Sequence, residues 1–338
     1  MTAIAAVLTD SSSPGPWGAA SPAVAVPAAA PFVDYRPPMT APADDSFGRH
    51  RPGGLPGLLL ALGAALPASR WGLAAGGVLG PLVRTMVPWL YGAVIDVTAD
   101  GVRRRLHVRD HADDRRFLAL PRQAASQARA HIAAALPADG VFVDVGAGTG
   151  LHTLAAARHL GDRGRVVAVE PNGATRDRLA VNLALNPLAA AVTLVDDAVG
   201  PACDGVILAA GKGKVAGGRA ASSAWDAPPP ALTRTRPLLD LLLGAGLARV
   251  DVLRLGLKAG ADLALIPFLQ AAPPALRPGM IVVDRRGAKG WAVDLPATLA
   301  LYGYHPCGRT PDALLFQGEE IGDSGALWEA ADWSLVVS

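Results

Sequence analysis

The stretch from Val141 to Pro171, VFVDVGAGTGLHTLAAARHLGDRGRVVAVEP, constrains the fold more than any other part of the chain. Val141, Phe142, Val143 and Val145 form a β-branched and aromatic run of the kind that becomes a buried parallel strand. Gly146, Gly148 and Gly150 follow at once, and residues without a Cβ let the backbone turn sharply and approach a ligand. Thr149 and Leu151 to Leu160 read as a helix whose free N–H groups point back at that turn. Val166 to Val169 reads as a second strand, and Glu170 stands at its end, 20 residues beyond Gly150. A carboxylate at that place suits two ribose hydroxyls. The stretch predicts a nucleoside-binding half-site.

The spacing of the glycines narrows the ligand. G-x-G-x-G differs from the G-x-G-x-x-G of dinucleotide sites, and Asp144 ends the strand two residues before the first glycine. A carboxylate there repels a pyrophosphate but favours a cationic sulfonium carrying an α-amino group. The constellation favours S-adenosyl-L-methionine over a nicotinamide dinucleotide. Glu170 then takes the ribose hydroxyls, and Asp197, after a third strand at Val192 to Val195, lies near the adenine amine. The expected cofactor-binding set is Asp144, Gly146, Ala147, Gly148, Thr149, Gly150, Glu170, Pro171, Asn172, Asp197 and Ala198. Cys203 and Cys307 form no metal-type spacing, so no metal is expected, and two distant cysteines suit a reduced, cytoplasmic setting.

The flanks are less specific. Apolar residues make up 51% of the chain but aromatics only 5%, so much of the apolar count is alanine. Net charge is +2; the densest basic cluster, Arg103 to Arg105, precedes Asp110, Asp113 and Asp114 and reads as a solvated mixed-charge surface. No nucleic-acid partner is expected. Residues 1–50, rich in Ala, Pro, Ser and Thr, read as a disordered tail. Between 55 and 94, the apolar runs Leu55 to Ala68 and Trp71 to Val83 are each shorter than the ~20 residues of a bilayer crossing, and Pro56, Pro67 and Pro81 break them. They predict a pair of packed helices, with peripheral membrane contact through Trp71, Trp89 and Tyr91 as the alternative.

Ile95 to Val108 reads as a hairpin turning at Ala99-Asp100-Gly101, and 117–136 as a helix. Beyond Glu170, a helix over Ala174 to Leu185 places Asn182 and Asn186 on one face. A short hairpin follows at Gly205 to Ala209, a mobile loop at Gly211 to Gly218 and a helix at Leu238 to Leu243. Further strands are expected at Arg249 to Leu255, Met280 to Asp284 and Ala313 to Gln317, with a helix ending over Leu299 to Tyr304. This β–α alternation predicts an α/β fold, an open and mostly parallel sheet with helices on both faces and its ligand beyond the strand C-termini. The expected organisation is a tail (1–50), an apolar helical segment (51–95), a hairpin and helix (96–136), the cofactor-binding domain (137–320) and a C-terminal tail (321–338).

Beyond these patterns the chain resembles the FkbM family of S-adenosylmethionine-dependent methyltransferases, from about Asp100 to Gln317. The likeness is carried by VFVDVGAGTG, by VVAVEPNGATRDRLAVNLALNPLAAAVTLVDDAVG, by RPLLDLLL, by VDVLRLGLKAG and by GYHPCGRTPDALLFQ. It implies the Rossmann-like class I methyltransferase sheet with an antiparallel last strand. It also implies O-methylation of a hydroxyl on a glycan, secondary metabolite or other small-molecule acceptor. One segment departs from the family: where it reads Lys-Ile-Asp-Val-Glu-Gly, this chain has Arg254, Leu255, Gly256, Leu257, Lys258 and Ala259. Both acids are replaced.

The candidates for chemistry are therefore Asp262, which a one-residue shift brings near a missing acid's place, His152 after the glycine turn, and Arg254, which with Lys258 suits an anionic acceptor. Asp251 reads as a structural strand residue, Asp262 also as a helix-start cap, and His305 as a loop residue. Three readings stand: an active O-methyltransferase, a non-catalytic relative that binds the cofactor as a scaffold or regulator, and a nicotinamide-dependent oxidoreductase, which Asp144 and the glycine spacing disfavour.

Overall fold

The computed structural model describes residues 33–35, 46–66, 70–109, 111–120, 126–201, 205–208, 231–257 and 260–319. All fall in one unit, Phe32–Ser338. The expected loop at Gly211 to Gly218, Cys203, Lys258, Ala259 and the C-terminal tail lie outside the described residues.

In chain order, β1 (Val33–Tyr35) precedes two helices, α1 (Gly54–Ala65) and α2 (Arg70–Leu90). The hairpin β2 (Val94–Ala99) and β3 (Val102–His107) leads to α3 (Ala112–Ala119) and α4 (Ser126–Ala135). Then come β4 (Val141–Val145), α5 (Leu151–His159), β5 (Arg165–Val169), α6 (Gly173–Ala184) and β6 (Ala191–Val195). Three strands follow, β7 (Ala198–Val199), β8 (Gly205–Leu208) and β9 (Ala231–Arg236), and then α7 (Leu238–Gly244). The chain continues through β10 (Val252–Leu255), α8 (Ala261–Ala271), β11 (Met280–Asp284), α9 (Leu295–Ala300), β12 (Tyr304–Arg309) and β13 (Ala313–Gly318).

The main sheet runs β1-β6-β5-β4-β10-β11-β13-β12. From β6 to β11 neighbouring strands are parallel, β13 enters antiparallel to β11, and β12 pairs antiparallel with β13. Without the short edge strand β1 the sheet has seven strands, mostly parallel and with the last strand of the chain antiparallel, as expected. β4 is buried at all five positions, as a strand covered on both faces must be. On one face Val143, Val167, Leu253 and Ile281 pack under α7, α8 and α9. On the other, Phe142, Val166, Val252 and Val282 pack under α4, α5 and α6. A third apolar cluster joins α1, α2, the hairpin and α3 through Val83, Val87, Ile95, Leu106 and Phe117.

Several expectations need correction. The hairpin turns where predicted, with Asp100 and Gly101 both at positive φ (51° and 72°), as a two-residue primed turn requires. The helix expected over 117–136 is instead the two helices α3 and α4. α2 runs through Pro81 and Pro88, because fully buried Val83 and Val87 anchor its inner face around them. β8 pairs with distant β9 instead of closing a local hairpin at Gly205 to Ala209. His305 lies on β12, not in a loop. Within the expected N-terminal tail, β1 pairs with β6, and the Ser46–His50 turn is held by the Asp96 carboxylate, which accepts from the Gly48 and His50 N–H groups at 2.7 and 3.3 Å.

The largest correction concerns the basic cluster. Arg103 is exposed, but Arg104 and Arg105 are only 2% and 5% exposed. Both faces of the hairpin are covered. Arg105 pairs with Asp96 at 2.8 Å beneath the Ser46–His50 turn. Arg104 lies 4.4 Å over the Phe117 ring, pairs with Asp114 at 3.4 Å and donates to Thr149 Oγ1 at 2.9 Å. Burial alone would raise the Asp96 carboxyl, but Arg105 and the two backbone N–H groups bring it below its ordinary value.

Candidate functional site

The turn after β4 is built by backbone hydrogen bonds to the neighbouring strand. The N–H groups of Gly146 and Ala147 both donate to the Val169 carbonyl, at 2.9 and 3.0 Å. Gly146, Gly148 and Gly150 have φ of 76°, 59° and 95°, and Gly150 is the N-cap of α5. At Gly146 a Cβ would also lie 3.0 Å from the carbonyl oxygen of Gly256, just after β10, so a side chain here would press the two segments apart.

Glu170 sits at the end of β5, 9% exposed. Its Oε2 accepts from Gly148 N at 2.9 Å and its Oε1 from Asn172 N at 3.0 Å, so the carboxylate is fixed against the glycine turn. Each oxygen keeps a lone pair for a hydroxyl. Burial pushes its carboxyl above the usual range, with the two N–H groups acting in the opposite sense. Asn172 caps α6 by accepting from Thr175 N at 3.0 Å. Asp197, beyond β6, is half-buried and paired with Arg236 at 3.0 Å. Thr149 does not face outward: its buried hydroxyl donates to Asp114 at 2.5 Å.

Asp144 and Arg254 occupy the same register on adjacent parallel strands, so both side chains project to one face. Arg254 Nη1 donates to Asp144 Oδ1 at 2.6 Å, and Thr153 Oγ1 donates to Oδ2 at 2.7 Å. Asp144 is fully buried. Its charge, expected to meet a ligand's cation, is thus met by the protein's own guanidinium. Gly256 belongs to the same arrangement, since a Cβ there would lie 2.6 Å from Arg254 Nη1 and Nη2.

A cleft beside this pair is lined by the glycine turn, His152, Arg254, Gly256, His111 and Asp284, among others. The sequence reasoning had not assigned His111, Asp113, Arg116, Asp284, Arg286 or Asp312 to it. Asp284, an acid at the C-terminal end of a parallel strand, carried the same signal as Asp144 and could have been found. The α3 residues carried none. His111 Nδ1 accepts from Asp114 N at 3.4 Å, which leaves Nε2 near Gly148. Arg286 forks onto Asp284 and reaches Asp113 at 3.1 Å; the Asp284 hydrogen bonds push its guanidinium well up, burial opposing them. With Arg116–Asp312 at 2.8 Å, these exposed pairs tie α3 across to the far side of the cleft. Each such pair contributes roughly 0–1 kcal/mol.

Asp262 does not line the cleft. It is 1% exposed, its Oδ2 accepts from Ala292 N at 2.6 Å, and it does not cap α8, whose N-cap is Gly260. The helix-start role and the catalytic candidacy both give way to a tether on the chain after β11. Asp251 is structural as expected, accepting from Val141 N at 2.7 Å.

His152 does line the cleft at 8% exposure. Burial holds its imidazole well below the usual histidine range, and Arg254 adds to the effect. The unfolded chain therefore binds a proton near the ordinary histidine value of about 6.5 that the folded chain refuses. Stability present above about pH 6.5 is lost as pH falls. Relative to His152→Gln, the native protein should lose stability between about pH 7 and about pH 5, by at most about 2 kcal/mol. Urea melts at both pH values check this; identical pH dependence in the two proteins would rule it out.

No protein-family model matches this chain, and no curated protein does. Solved structures similar to it include M. jannaschii TYW2 in complex with AdoMet, at 14% identity, with 68% of this chain and 87% of that one covered and a TM-score of 0.36. A proposed rRNA methylase from Clostridium thermocellum matches at 15% identity, over 57% of this chain and 93% of that one, with a TM-score of 0.35. The ribosomal protein L11 methylase of Lactobacillus delbrueckii subsp. bulgaricus matches at 12% identity, over 58% and 80%, also with a TM-score of 0.35. The fold assignment rests on the strand order, not on these likenesses. FkbM stays a resemblance, and the expected absence of a nucleic-acid partner finds no support in them.

Proposed function

We propose that this chain binds S-adenosyl-L-methionine at the turn between β4 and α5 and methylates a hydroxyl of a glycan or secondary-metabolite acceptor. One observation carries the reading. The glycine turn and the Glu170 carboxylate stand at the C-terminal ends of adjacent parallel strands, joined by the Gly148 N–H at 2.9 Å. Glu170 would hold the ribose hydroxyls, Asp197 the adenine side, and the backbone of Gly146 to Gly150 the middle of the ligand. The methionyl half fits with altered polarity, because Arg254 faces it with a guanidinium suited to a carboxylate while Asp144 is already neutralised. Bound there, the cofactor supplies an activated electrophilic methyl group.

The protein's own task is then to align an acceptor oxygen, which lowers such barriers by roughly 7–11 kcal/mol in favourable cases. His152 is neutral near pH 7 and can accept a proton, but its weakened basicity places its contribution toward the low end of the usual ~10²–10⁴-fold.

Calorimetric titration with S-adenosylmethionine and S-adenosylhomocysteine tests the site. Glu170→Ala should weaken binding about 10–100-fold, the loss of one strong or two ordinary hydrogen bonds to the ribose. Undiminished binding by that variant, or thermal stabilisation by NAD but not by S-adenosylhomocysteine, would overturn the proposal. Methyl label from the cofactor should then appear in glycan or small-molecule fractions of cell extract; label in RNA alone would overturn the acceptor.

The Arg254–Asp144 pair favours a second reading, a cofactor-binding protein without catalysis. It predicts binding with no label transferred. Gly256→Asp combined with Lys258→Glu then supports a lapsed enzyme if methyl transfer appears.

A further inference from the structure

We infer that the outward face of α1 and α2 docks on the surface of a bilayer carrying anionic headgroups. The two helices bury one side in the third apolar cluster, through Leu59, Val83 and Val87. Among the described residues their other side is exposed. Leu55, Leu58 and Leu62 form a stripe on α1, 54%, 57% and 48% exposed. Val78, Leu82 and Trp89 share one face of α2 and are 81%, 44% and 79% exposed. Of the thirteen exposed large hydrophobic side chains among the described residues, eight lie between Leu55 and Tyr91. Scattered exposed leucines need no explanation, but a contiguous set on two adjacent helices does.

Charge selects the occupant. Residues 46–95 contain four arginines, Arg49, Arg51, Arg70 and Arg84, and no Asp, Glu or Lys, although the whole chain carries only +2. Arg51 and Arg84 are exposed. A segment that carries arginines and no acids of its own beside an apolar stripe fits phosphate headgroups over acyl chains, whereas a pairing of two such faces would set like charges together. Trp89 and Tyr91 close α2 with the residue types that favour the headgroup boundary. Among the described residues no helix is long and apolar enough to cross a membrane, so the pair lies on the surface. Its inner side abuts α3 near Ala119 and Leu120, and α3 also lines the cleft with Asp113 and Arg116. The docking face and the cleft thus share one element.

Flotation of the full-length chain with phosphatidylcholine vesicles, with and without about one-third phosphatidylglycerol, tests this. Binding is expected to the anionic vesicles and to weaken about tenfold in high salt. Leu58→Glu with Trp89→Glu should reduce it at least ~tenfold without lowering the unfolding midpoint, because both side chains are exposed. Arg84→Glu should weaken binding to the anionic vesicles alone. Equal binding to both vesicles, binding to neither, or a dimer in size-exclusion chromatography that the double variant dissociates would each overturn the proposal.

Discussion

Arg254→Ala is expected to lower the unfolding free energy by about 3–5 kcal/mol, the usual consequence of leaving a buried charge without its partner. Asp144 is fully buried, and its Oδ1 has Arg254 as its hydrogen-bond donor at 2.6 Å. Thr153 alone would remain. The strand register fixes both side chains on one face. Arg254→Met with Asp144→Asn should recover most of the loss, because it removes both charges together. Urea denaturation of the two variants decides the matter; equal losses in single and double variants would mean that side-chain volume, not charge, is what matters there. The same arginine separates the halves of the proposed ligand. Arg254→Ala should weaken S-adenosylmethionine more than methylthioadenosine, which has no methionyl carboxylate for a guanidinium to hold.

Asn182→Leu is expected to destabilise the protein by roughly 2–6 kcal/mol. Asn182 is fully buried, accepts from Arg105 N at 2.7 Å and donates to the Thr149 carbonyl at 3.0 Å. One side chain thereby joins helix α6, the hairpin and the glycine turn. Leucine fills the space but leaves a buried N–H and a buried C=O unpaired, at about 1–3 kcal/mol each. Asn186 repeats the grip one helical turn on, accepting from Arg103 N and donating to Arg103 O, both at 2.8 Å. Those bonds are solvent-exposed, so Asn186→Ala should cost below about 1 kcal/mol. Hydrogen exchange at the Arg105 amide should accelerate in Asn182→Leu and not in Asn186→Ala. Equal effects of the two would remove the clamp from the account.

The paired asparagines show how far a sequence pattern carries. Their i,i+4 spacing was visible and placed them on one helical face, but nothing local said that the face would meet the edge of a hairpin some 80 residues earlier. Arg104 and Arg105 misled for the same reason. Three consecutive arginines before a run of aspartates look solvated, and only the covering of both hairpin faces, by α3 and by the Ser46–His50 turn, puts two of them inside. β12 was missed because its segment, YHPCGR, lacks the alternation of a half-buried strand; its order comes from pairing with β13 at the sheet edge.

By itself the sequence determined the parallel sheet, the sharp turn after Val145 and the place of Glu170, because strand hydrophobicity and glycine spacing are local and act within one β–α–β unit. The tertiary structure alone decided what meets Asp144. An aspartate ending one strand and an arginine in another, 110 residues later, become partners only when register sets them side by side. That pairing turned an expected cation-binding carboxylate into a neutral pair. It brings Gly256, where a Cβ would lie 2.6 Å from the guanidinium, into the same arrangement and puts Arg254 among the charged side chains that line the cleft.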